Sequence, residues 1–150
     1  DSERSNARLI RKRLMRGHAT EATFVSLYTD APDPEQAMDR VAAAVSPHLP
    51  LSVALLGMGS DLHTASLFPG GDRLAEALAP DAPAVLPIRA PGADEARVTL
   101  SARVLQDAMA IHVLITGADK RRALDTVEAR SAEEAPVRAV LANATVHWAD

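Results

Sequence analysis

Apolar residues return along this chain in two alternating rhythms, which predicts strands separated by helices. Ala7, Ile10 and Leu14 recur at helical spacing among arginines and a lysine, so residues 5–16 read as a basic amphipathic helix capped by Ser5 or Asn6. Residues 24–28 form a short β-prone run. Asp33-Pro34-Glu35-Gln36 then offers an N-cap, a proline suited to the first helical position and a capping partner, opening a helix over 34–46. Pro47 and Pro50 break the chain before the continuous apolar run 51–56, which ends in glycines and reads as a buried parallel strand. The turn after it leads into a short helix from Thr64.

Pro80, Pro83, Pro87 and Pro91 make residues 79–96 a loop-rich connection in which 85–88 is the one strand-like piece. Leu100, Val104, Leu105 and Ala108 mark a helix, 111–116 a second buried strand, and Leu124 with Val127 a helix beginning near Asp119. Pro136 opens a last short helix containing Val137, Val140 and Leu141, and 145–148 closes as a strand. Alternating strands and helices specify an α/β fold, a doubly wound, mostly parallel sheet flanked by helices. Residues 1–150 read as a single domain without internal repeats.

Composition narrows the function classes. The 150 residues are 47% hydrophobic, enough for one ordinary core. A net charge of -4 with scattered basic residues disfavours nucleic acid, whose phosphates are held by clustered lysine and arginine. Cysteine is absent, which excludes disulfides and thiolate metal sites and suits a reducing, cytoplasmic setting. No apolar run approaches the length of a membrane span, so no membrane partner is expected.

The candidate chemistry lies in Gly57-Met58-Gly59-Ser60-Asp61-Leu62-His63-Thr64-Ala65-Ser66-Leu67-Phe68-Pro69-Gly70. Open α/β sheets bind ligands outside the carboxyl ends of their strands, which is where this turn falls. A neutral imidazole can take a proton from attacking water and later return it to a leaving oxygen, so His63 is the candidate base; taken alone, such a histidine is more often structural. Asp61, two residues earlier, projects on the same side in an extended turn and would orient the ring; its ordinary alternative is an Asx turn. Gly57 and Gly59 either free backbone N–H groups to face an anion or simply make a tight turn. Asp-x-His lacks the further ligands a metal needs, and Ser66 lacks the setting of a hydrolase nucleophile. His112 reads as a core or strand-end residue, Phe24, Phe68 and Trp148 as packing, and His18, His48 and His147 stand in no motif.

The turn resembles the G-x-G-x-D-G-H-x-A-S-L-F-P signature of the 6-phosphogluconolactonases, departing from it at one fixed position, where Leu62 replaces glycine. Ser5-Asn6, Arg97-Val98-Thr99-Leu100, Thr116-Gly117 with Lys120, and Val146-His147-Trp148 resemble further landmarks of that family, in the same order. The resemblance implies hydrolysis of 6-phospho-D-glucono-1,5-lactone with His63 as catalytic histidine and Asp61 as its partner. It implies Arg97 and Lys120 as phosphate-binding cations, Gly57, Gly59 and Asn6 as further substrate contacts, and no metal or organic cofactor. It also implies a C-terminal portion of the family fold, since the S-G-G loop and D-E-R segment that precede S-N in the family are not in this sequence; self-association or complementation by such a segment is then expected. If the family's glycine has positive φ, Leu62 costs roughly 1–2 kcal/mol there or forces another backbone path. The related glucosamine-6-phosphate deaminases have a glutamate where Phe68 stands, which disfavours that rival. A phosphosugar-binding module without turnover is the rival from another class.

Overall fold

The computed structural model describes residues 5–91 and 95–150. Its centre is a parallel sheet of three strands, β1 (Ala54–Gly57), β4 (Ile111–Thr116) and β5 (Ala144–Ala149), in the order β1-β4-β5. Ala54 lies opposite Ile111 and Gly57 opposite Leu114, so β1 ends level with the middle of β4 and the signature turn begins at the sheet's carboxyl edge. A separate antiparallel pair joins β2 (Val85–Ile88) to β3 (Arg97–Leu100). The helices are α1 (Asn6–Arg13), α2 (Met38–Val45), α3 (Leu74–Leu78), α4 (Ala102–Gln106), α5 (Ala118–Leu124) and α6 (Arg138–Leu141).

The α/β reading and the parallel sheet hold. One sheet face, carrying Ala54, Ile111, Val113 and Ile115, packs into a single cluster with Leu74 and Ala77 of α3, Ala102 and Leu105 of α4, and Val140 of α6. Strand side chains alternate between faces, and the opposite face is open: Leu55 is 68% and Leu114 49% exposed. β1 is therefore buried on one side only, which corrects the fully buried strand expected from its apolar run. His112 lies on this outer face and is no core residue; its Nδ1 is 3.0 Å from Nε2 of His147 on β5. A second cluster sets Val41 and Val45 of α2 against Val85.

Several elements differ from expectation for identifiable reasons. β1 starts at Ala54 and not at residue 51, because the carbonyls of Leu51 and Ser52 accept from Met109 and Ala110 in the loop before β4 and regular pairing begins only afterwards. Residues 24–28 form no strand; Val25 and Leu27 instead pack against the α2 cluster. The helix expected over 34–46 begins as a 3-10 turn at Pro34–Ala37 before α2. Leu100 ends a strand and does not start a helix, since Arg97–Leu100 finds a ladder partner in β2. α3 was not expected, although Leu74, Ala77 and Leu78 have helical spacing. No helix starts at Thr64: Leu62 and Ala65 both have positive φ, 69° and 50°, which a right-handed helix does not accommodate. α1 is capped as expected, Ser5 accepting from Arg8 N at 3.2 Å, but it ends at Arg13, short of the expected residue 16.

Candidate active site

The turn after β1 is held by a series of specific contacts. The Thr64 hydroxyl, fully buried, donates to the Gly57 carbonyl at 2.9 Å and clips the far side of the turn to the strand end. Leu67 N donates to Thr64 O at 2.9 Å, closing a tight reversal. Leu62 takes the left-handed conformation that its position demands, and its side chain, 3% exposed, enters the main core. Its strain of roughly 1–2 kcal/mol is matched by about 1.5–3 kcal/mol from burying a leucine side chain. The Leu62 carbonyl also accepts from Val137 N at 3.0 Å, tying the turn to the segment before α6. Leucine thus keeps the positive φ at this position and leaves His63 next to a fixed backbone.

His63 Nδ1 lies 2.6 Å from Asp61 Oδ1, and the same oxygen accepts the His63 backbone N–H at 3.3 Å. An ionised carboxylate only accepts, so Nδ1 carries the proton and Nε2 presents a lone pair. Among the described residues Nε2 has no hydrogen-bond partner. Gly59 explains how the pair fits: a Cβ added there would sit 2.3 Å from both Asp61 Oδ1 and His63 Nδ1. The Gly59 N–H donates to the His63 carbonyl at 3.0 Å, the tight-turn reading of the two offered for it. Its role is to make room for the Asp61–His63 pair and to close the loop beneath it.

A cleft of about 330 Å³ opens beside this pair, lined by Gly57, Met58, Gly59, His63, Ala65 and Lys120, together with residues of β1. Gly117, at φ 83°, turns the chain from β4 into α5 and brings Lys120 to the cleft. Arg97 does not line it: it is exposed at the start of β3, opposite Ile88. Its strand nevertheless touches the turn, because the Thr99 hydroxyl accepts Ser66 N at 3.3 Å. Asn6, the first residue of α1, is exposed and does not line the cleft either. Thr64 and Phe68 are the site residues that sequence reasoning missed. Phe68, expected only to pack, sets its ring 4.3 Å from that of His63. Among the described residues no group of three or more His, Cys, Asp or Glu gathers as a metal site, and no helix is long and apolar enough to cross a membrane.

Known proteins share both sequence and fold with this chain. The profile of the family described as glucosamine-6-phosphate isomerases/6-phosphogluconolactonase matches residues 1–148. A 6-phosphogluconolactonase of Rhizobium meliloti is 42% identical, with 99% of this chain and 67% of that protein covered. One of Mesorhizobium japonicum is 44% identical over 93% of this chain and 59% of its own length. The crystal structure of a 6-phosphogluconolactonase from Shewanella baltica superposes with a TM-score of 0.92 at 30% identity, covering 100% of this chain and 66% of that one. The chain thus spans about three-fifths to two-thirds of the length of these relatives. With the signature turn, the parallel sheet and these matches together, the chain belongs to the family of glucosamine-6-phosphate isomerases and 6-phosphogluconolactonases.

Proposed function

We propose that this protein hydrolyses 6-phospho-D-glucono-1,5-lactone to 6-phosphogluconate, the lactone-opening step of the oxidative pentose phosphate pathway, as a cytoplasmic enzyme. In this reading His63 Nε2 takes a proton from water as the water oxygen attacks the lactone carbonyl carbon. The ring C–O bond then breaks, and the imidazolium returns the proton to the departing ring oxygen. Asp61 holds the Nδ1–H tautomer through both steps and favours the transient cation. Lys120 meets the phosphate in the cleft, and the family resemblance adds Arg97, which lies outside the cleft lining on β3, as a second cation.

The observation that carries the reading is the 2.6 Å Asp61–His63 contact placed in an open cleft with Lys120. Lactone hydrolysis by the purified chain tests it. His63→Ala is expected to lower turnover by about a hundredfold or more, the usual worth of a general base. Lys120→Ala and Arg97→Ala should each weaken binding of the phosphorylated substrate by roughly ten- to a hundredfold, with much less effect on the unphosphorylated lactone. A parent chain that binds phosphogluconate yet leaves the lactone intact would replace this reading with a phosphosugar-binding one.

A further inference from the structure

Asp61 holds the His63 ring at Nδ1, and its only other anchor is the covalent bond to Cβ, so the ring can still rock between these two points. Two other groups limit that rocking. The Gly59 backbone closes on the Nδ1–Cε1 side, where an added Cβ would lie 2.3 and 2.4 Å from those atoms. The Phe68 ring lies 4.3 Å from the imidazole centroid at an interplanar angle of 34°, a tilted stack over the ring itself. Phe68 does not drift: the buried Leu67 precedes it, and its own carbonyl accepts from Gly71 N at 3.0 Å. Pro69 follows and fixes the backbone further.

We propose that Phe68 is a positioning residue for His63, holding the imidazole plane so that Nε2 is presented to the cleft at a fixed angle. The claim rests on the hydrolytic reading, because orientation matters to turnover only if Nε2 handles the reacting proton. Phe68 is not itself a lining residue of the cleft, so its removal acts through the imidazole and not through lost substrate contact. Proton transfer depends on donor and acceptor alignment, and a displacement on the order of 1 Å is enough to cost about a hundredfold in rate. Loosening a ring that Asp61 still tethers should cost less, about tenfold.

The test compares Phe68→Leu and Phe68→Tyr with the parent chain, by steady-state lactone hydrolysis and by NMR of the His63 ring protons. Leucine keeps an apolar filler but no stacking plane; tyrosine restores the plane and controls for folding. Phe68→Leu should lower kcat about tenfold with KM within about twofold. Its His63 ring-proton resonances should lose the upfield displacement caused by a stacked aromatic. Phe68→Tyr should recover both. An unchanged kcat in Phe68→Leu, or a rise in KM with kcat unaltered, overturns the proposal. If the parent itself fails to hydrolyse the lactone, the functional reading falls first, and NMR still decides the positioning claim: ring-proton shifts identical in all three proteins would overturn it.

Discussion

In the turn of residues 57–68 almost every group near His63 has a partner, whereas in α1 no residue is buried at all. Within the turn, Thr64 bonds Gly57, Gly59 bonds His63, Leu62 bonds Val137 and Asp61 bonds His63, at separations of 2.6 to 3.0 Å. Of the expected stripe, Ala7 and Ile10 are only half-buried and Leu14, just after the helix, is 68% exposed; Leu9, off the stripe, is 56% exposed. Each segment kept part of the local structure that its sequence suggested: the Asp61–His63 pairing in the turn, and the Ser5 cap in α1. What separates them is that the turn lies between the sheet end and the core, so each local choice there is also fixed by a distant contact. A short helix depends for most of its stability on packing of its apolar face, and within the described residues α1 has little of it.

The sharpest way to break the turn is at Gly59. Alanine there keeps an allowed backbone, but its methyl group must displace the Asp61 carboxylate and the His63 ring, both flexible side-chain ends. Gly59→Ala should therefore fold with a midpoint close to that of the parent and lose activity by about a hundredfold or more, much like removal of the base itself. Kinetics and thermal unfolding on the same preparation decide it. Retained turnover would mean that the Asp61–His63 pair is not the working geometry, and a large loss of stability would mean that the turn tolerates less movement than its side chains suggest.

Leu62 offers a test in which two truncations are ranked against each other. Removing a buried leucine side chain costs roughly 2–5 kcal/mol through lost burial and the cavity left behind. Alanine bears that cost and keeps the left-handed strain, whereas glycine bears it and is relieved of roughly 1–2 kcal/mol. Leu62→Gly should accordingly be less stable than the parent yet more stable than Leu62→Ala by about 1 kcal/mol, an inversion of the usual order in regular structure. Urea unfolding of the three proteins measures this. Were the alanine variant the more stable of the two, the strain at φ 69° would not be governing the turn.

What could be read from the sequence follows the same division. β4 has its expected bounds because an apolar run between polar turns leaves little choice of register, and the Asp61–His63 pairing follows from residues two apart in an extended loop. β3 was hidden because four residues of Arg-Val-Thr-Leu become a strand only when β2 is there to bond them. The helix expected from Thr64 failed because the positive φ at Leu62 and Ala65 is set by tertiary contacts that no periodicity records. For the cleft, the turn and Lys120 come together, while Arg97 and Asn6 stay outside its lining. Phe68 against His63 was not legible: five residues apart in an irregular loop, the two match no repeat of helix or strand.

An ion pair ties the turn before α2 to the end of β2, and breaking it should have the smallest effect of all. Glu35, in the 3-10 turn before α2, accepts both ends of the Arg89 guanidinium, at 2.6 and 3.2 Å, just beyond β2. The hydrogen bond from Arg89, helped by a backbone hydrogen bond, holds the Glu35 carboxyl below its ordinary value near 4.5. A depressed folded value means that the stabilisation is fully present above the ordinary value and is lost as pH falls through the lowered one. Both side chains are nearly half exposed, at 46% for Arg89 and 42% for Glu35, so solvent screening keeps the pair's contribution small. Glu35→Gln should thus destabilise the protein slightly at neutral pH, and the gap between variant and parent should close as the pH falls below the ordinary glutamate value and through the lowered folded one, where the parent's own carboxyl takes up its proton. Urea unfolding at a series of pH values with low salt would show it; a gap that stays constant down the series would mean that Glu35 acts by shape and not by charge.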